Sequence, residues 1–65
     1  MKIAVNGEAL EAEATTLAAL LCELDYDPAL VATALNESFV RAKDRETCAL
    51  KEGDKVEVLS PRQGG

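Results

Sequence analysis

The chain has no histidine and no tryptophan, and among its 65 residues there are one tyrosine, one phenylalanine, two cysteines and two prolines. Each scarcity excludes something. Without histidine the commonest general base at neutral pH is missing, and no nucleophile–base pair stands out, so an enzyme in its own right is the least favoured reading and no catalytic residue is assigned. Cys22 and Cys48 form no CxxC pair, and a structural zinc site wants four nitrogen or sulfur ligands, so no metal is expected. One disulfide is formally open. But the opening stretch MKIAVNGE reads as a strand, with no apolar run of signal-peptide length, and no stretch of the chain is long enough to span a membrane. A cytoplasmic protein with reduced thiols is the simpler expectation.

Positive charge is missing from most of the chain. Between Ile3 and Val40 there is no lysine or arginine but there are seven acids, and the net charge is −5. That argues against nucleic acid, whose phosphates need clustered cations. Arg41, Lys43, Arg45, Lys51, Lys55 and Arg62 all lie in the second half. Two readings stay open: an acidic half that steers a basic partner, or a solvated surface that keeps a small protein soluble.

What is present is enough apolar sequence for one core. Apolar residues make up 48% of the chain, too many for a disordered polymer. The length allows one domain with a thin stability margin. In KIAVNGEALEA, Ile3 and Val5 alternate with polar or small neighbours and Asn6-Gly7 follows at once. That spacing predicts a half-buried strand and a tight hairpin turn with positive φ at both central residues. The return strand, Glu8 to Ala12 with Leu10 inward, is written in good helix formers, but it is short and begins at a turn. In TTLAALLCEL, Thr16 caps a helix whose Leu17, Leu20, Leu21 and Leu24 make one stripe. DYDP ends it, with Pro28 unable to continue and Asp27 pushed to extended geometry; Tyr26 is expected to pack at the helix end. LVATALN reads as a buried strand with Val31 and Leu35 inward, NESFV as a turn into a short strand at Phe39 and Val40. RAKDRETCALKEGD reads as polar and irregular with a helical turn, and Glu52-Gly53-Asp54 as a turn. KVEVL alternates again, Val56 and Val58 inward. One helix across a mixed sheet is the economical way to bury the leucine stripe.

SPRQGG, residues 60–65, lies beyond the last inward residue. Fully extended, six residues reach roughly 20 Å at about 3.3 Å each. Two glycines add nothing to a core, yet without Cβ atoms they can thread a narrow channel and carry a carboxylate to a reactive phosphorus. A carboxylate ionises with an unperturbed pKa of about 3.5 and is a poor electrophile. ATP can activate it by leaving AMP on it, and then the protein needs no catalytic residues of its own. The bland alternative is an inert polar end.

Taken in order, VNGE, TLAALL, ALN, LKEGDKVEVL and QGG resemble the thiamin-biosynthesis sulfur carrier proteins, ThiS-type members of the ubiquitin-like β-grasp fold, over essentially the whole chain. The family commonly has a glycine and a Val-Pro pair after ALN; ESFVRA has neither. The resemblance implies an α+β protein, one main helix packed on a mixed four- to five-stranded sheet. It divides the chain into a β-grasp domain at 1–59 and a flexible tail at 60–65. It implies a partner of the ubiquitin-activating type, an adenylyltransferase that uses ATP and magnesium, with no cofactor bound by the carrier itself. Gly65 would be adenylated, and sulfur passed from cysteine as a persulfide would displace AMP to leave a thiocarboxylate. Thiazole synthase would take that sulfur into thiamin. Gly64 would give steric access, with Gln63 and Arg62 lining the threaded tail.

From the residues alone, Leu59 faces away from Val56 and Val58 and sits beside the tail, a candidate docking contact for the activating enzyme. Phe39 is a second. Each has a plainer reading, Phe39 as core and Leu59 as a lone exposed apolar side chain. Cys22 lies on the flank of the leucine stripe and Cys48 in the polar segment, neither near the tail in sequence, so a sulfur-relay role is not assigned. The rivals are the small subunit of molybdopterin synthase, another ubiquitin-like carrier or a modifier conjugated to lysines, and an acidic binding module with an inert tail.

Overall fold

The computed structural model describes residues 1–60. Strands β1 (Lys2–Val5) and β2 (Glu8–Glu11) form the predicted hairpin, followed by helix α1 (Leu17–Glu23). A short 3-10 turn at Pro28–Leu30 leads to β3 (Ala32–Leu35) and β4 (Ser38–Val40), a second 3-10 segment covers Ala42–Thr47, and β5 (Lys55–Leu59) comes last. The sheet order is β2-β1-β5-β3-β4. β1 and β5 run parallel while the other neighbours are antiparallel, so the sheet is mixed and the last strand is its centre. One helix on a five-stranded mixed sheet in this order is the β-grasp arrangement expected. The boundary drawn after residue 59 has Ser60 as the one described residue beyond it; the rest of the segment at 60–65 lies outside the described residues.

The core lies between α1 and the inner sheet face. Leu17, Leu20 and Leu21 are fully buried, against Ile3 and Val5 of β1 and Val56 and Val58 of β5. Removing each such side chain from water is worth about 1.5–3 kcal/mol. Leu10, Leu24, Tyr26, Val31 and Leu35 pack on this cluster while half-buried. On β3 the most deeply buried residue is Thr33, between Val31 and Leu35 in the inward row.

The helix starts as expected: Thr16 Oγ1 accepts from Ala19 N–H at 3.1 Å. Its end differs from expectation. It stops at Glu23, four residues before the Asp27–Pro28 step, because Asp25 takes a left-handed φ of 67°. Tyr26 N–H then donates to Leu21 O and Asp25 N–H to Cys22 O, a Schellman closure that satisfies the last carbonyls. Pro28 instead opens the following 3-10 turn, with Asp27 extended at φ −86°, ψ 110° and capping it.

The segment read as polar and irregular is the larger correction. Arg45 and Leu50, 4% and 6% exposed, belong to the interior, and so does Asp54 at 7%. Arg45 donates from Nε to Thr33 Oγ1 at 3.0 Å, from Nη1 to Pro28 O at 3.0 Å and from Nη2 to Val31 O at 2.8 Å. One guanidinium thus ties the 40s segment to the start of β3 and to the turn before it. A buried cation held by neutral acceptors is tolerable only because so many of its protons are used.

Candidate functional site

The end of β5 is where the chain's distinctive sequence begins, and its surroundings follow from strand alternation. Val56 and Val58 point at the helix, so Lys55, Glu57 and Leu59 point to the outer face. β3 runs antiparallel beside it with Ala32 opposite Leu59 and Ala34 opposite Glu57. β4 places Phe39 opposite Ala34 on the same face. On its β3–β4 side the outer sheet face therefore carries two rows, Phe39–Ala34–Glu57 and Ala32–Leu59. These five residues, with Thr33, line one shallow depression. The small alanines leave it open between the two large apolar side chains.

Leu59 is 70% exposed and Phe39 69% exposed. The reading of Phe39 as core is overturned: its strand partner is the outward Ala34, and the inward place on β4 belongs to Val40, opposite Thr33. Sequence alone left Phe39 open because a three-residue strand shows too little alternation to fix its register. Leu59 is not solitary, since the sheet brings it into one depression with Phe39. Gly65, Gly64, Gln63 and Arg62 lie outside the described residues.

Two asparagines hold the central strand, and sequence reasoning missed what their side chains do. Asn36 sits at φ 50° in the β3–β4 turn. Its N–H donates to Lys55 O at 2.7 Å, its Oδ1 accepts from Lys55 N–H at 2.9 Å, and its Nδ2 donates to Asp54 Oδ1 at 3.0 Å. Asp54 Oδ2 accepts from Lys51 N–H at 2.8 Å. These hydrogen bonds, from Asn36 first and Lys51 next, hold the Asp54 carboxyl below its ordinary value of 3.8. At the other end of β5, Asn6 at φ 52° reaches Val58 with both ends of its carboxamide. The signal that marked these residues, Asn at a hairpin turn, explains their φ but not their second task.

Cys22 is exposed and Cys48 half-buried, and both are free thiols. Burial, with Asp54 and Asp44 nearby, pushes the Cys48 thiol up, away from the thiolate a sulfur relay would use. Among the described residues no group of three or more His, Cys, Asp or Glu is placed to hold a metal ion, and no helix is long and apolar enough to cross a membrane.

Comparison with known proteins gives a family and fold neighbours. The ThiS family model matches residues 1–65. The solved structure of a thiamine biosynthesis protein (ThiS) from Geobacter metallireducens superposes with a TM-score of 0.84 at 25% sequence identity, covering 92% of this chain and 93% of that one. No curated protein matches the chain.

Proposed function

The chain belongs to the ThiS family, and from that premise we propose that it is a sulfur carrier for thiamin biosynthesis whose reactive atom is the carboxyl carbon of Gly65. The observation that carries the reading is the family match over the whole chain together with a central strand that leads directly to SPRQGG.

In this reading the Gly65 carboxylate attacks the α-phosphorus of ATP on an adenylyltransferase of the ubiquitin-activating type, with magnesium, and pyrophosphate leaves. The terminal sulfur of a cysteine-derived persulfide then attacks the acyl carbon and AMP leaves. A thiolate then attacks the cysteine sulfur of the resulting acyl disulfide, forming a new disulfide with it and releasing the thiocarboxylate. Thiazole synthase consumes its sulfur. Gly64 admits the chain to a narrow channel, and Gln63 and Arg62 are the residues that channel grips. Leu59 and Phe39, large, exposed and in one depression beside the strand that launches the tail, dock the domain on the activating enzyme. Cytoplasm, where free thiols stay reduced, is the compartment proposed.

Pyrophosphate exchange into ATP, catalysed by an activating enzyme known to work on such carriers, tests the reading. It should depend on this chain and be lost when Gly65 is deleted or blocked by one added residue. Capture by thiazole synthase, and not by the large subunit of molybdopterin synthase, separates this function from its nearest rival; lysine-linked adducts of higher mass would favour a modifier.

A further inference from the structure

β1 ends at Val5, opposite Val56, while β5 runs on to Leu59. Along that parallel pair the groups of β5 that face β1 come from alternate residues: Asp54 O accepts from Ala4 N–H at 3.0 Å and Val56 O from Asn6 N–H at 2.9 Å. Val58 is next. Had β1 continued, a backbone carbonyl and a backbone N–H would have met it, but the chain has turned away at Asn6-Gly7 into β2. The Asn6 carboxamide stands in for both. Oδ1 accepts from Val58 N–H at 2.8 Å and Nδ2 donates to Val58 O at 3.2 Å. An amide side chain carries its donor and its acceptor on separate atoms, and asparagine also tolerates the φ of 52°. On the other side β3 holds the same stretch through Thr33 and Ala32. Asn6 is thus what fastens the last residues of β5 on the β1 side, two residues before the segment from Ser60 onward.

We propose that Asn6 is a positioning residue for activation of the carrier, fixing the end of β5 so that Leu59 keeps its place with Phe39 on the outer sheet face. The inference rests on the carrier reading above. Its physical content is a population effect: when the end of β5 frays, only a fraction of molecules present Leu59 and Phe39 together, and apparent affinity falls by that fraction. Chemistry within the bound complex is untouched, so KM rises while kcat holds.

Asn6→Gly is the test, because glycine adopts the same left-handed turn and removes the carboxamide. Asn6→Asp, with the same shape and an acceptor but no donor, is the second variant should the first fold poorly. Amide hydrogen exchange in Asn6→Gly should speed up roughly five- to tenfold at Val58, the effect of one lost hydrogen bond, with Val56 unchanged. In ATP–pyrophosphate exchange the KM for the carrier should rise about threefold or more at constant kcat, with Asn6→Asp between it and the parent. Faster exchange at Val58 with an unmoved KM would overturn the positioning role and leave a structural bridge. Uniform acceleration of all amides would overturn it as well, as global destabilisation. If the parent protein is not adenylated at all, the carrier reading fails and the positioning role with it, while the exchange data still report whether the bridge exists.

Discussion

At the residue scale the fold depends on a few polar side chains that reach across sequence. Arg45 is the clearest. Arg45→Ala would leave Thr33 and the carbonyls of Pro28 and Val31 without their donor. A loss of about 2–4 kcal/mol is expected by denaturant unfolding. That is a large share of the 3–10 kcal/mol, on the order of magnitude, that a chain this short can hold. Asp54 gives a pH signature. Its carboxyl is held below 3.8 in the folded protein, so its contribution is fully present above that value and is lost as pH falls through the folded pKa. Melting temperature followed from about pH 6 to about pH 2 should fall less steeply in Asp54→Asn than in the parent, from a lower starting point. Neither residue was legible in the sequence. Arg45 and Asp54 sit among charged and polar neighbours, and only the tertiary fold supplies the acceptors and donors that let them be buried.

At the element scale, the strands and the helix could be read because each writes its period plainly. Ile3 and Val5, Val56 and Val58, and the stripe Leu17–Leu20–Leu21 all face the core. What could not be read was how elements end and which way a short one faces. The helix closes on Asp25 at positive φ rather than at Pro28, a choice that depends on local hydrogen bonds. The β3–β4 turn holds backbone strain. Asn36 and Glu37 both take left-handed φ, 50° and 73°, and Glu37 occupies the second place, where glycine is at ease. Glu37→Gly should therefore stabilise the protein by about 0.5–1 kcal/mol, strain relief exceeding the added chain entropy; unchanged or lowered stability on denaturant unfolding would count against that view of the turn. The outer sheet face makes the opposite prediction. Leu59→Asp and Phe39→Asp should stay within about 0.5 kcal/mol of the parent in stability, since both side chains are already in water. In pyrophosphate exchange by the activating enzyme each should raise KM by about fivefold or more, the mark of a docking contact.

At the scale of the whole molecule, the domain holds its last strand in the middle of the sheet, with β1 on one side and β3 on the other. Asn36 pins its start and Asn6 its end. A central strand is the firmest base from which a chain can leave a small domain. That placement suits the proposal that the chemistry lies at Gly65. The direct measurement of that assignment is the intact mass of the protein after incubation with an activating enzyme, ATP, magnesium and a cysteine-derived persulfide, with fragments mapped along the chain. An increase equal to the exchange of one oxygen for sulfur is expected, confined to the fragment ending in Gly65 and absent without ATP. An unmodified Gly65, with the same enzyme active on a known carrier, would contradict it.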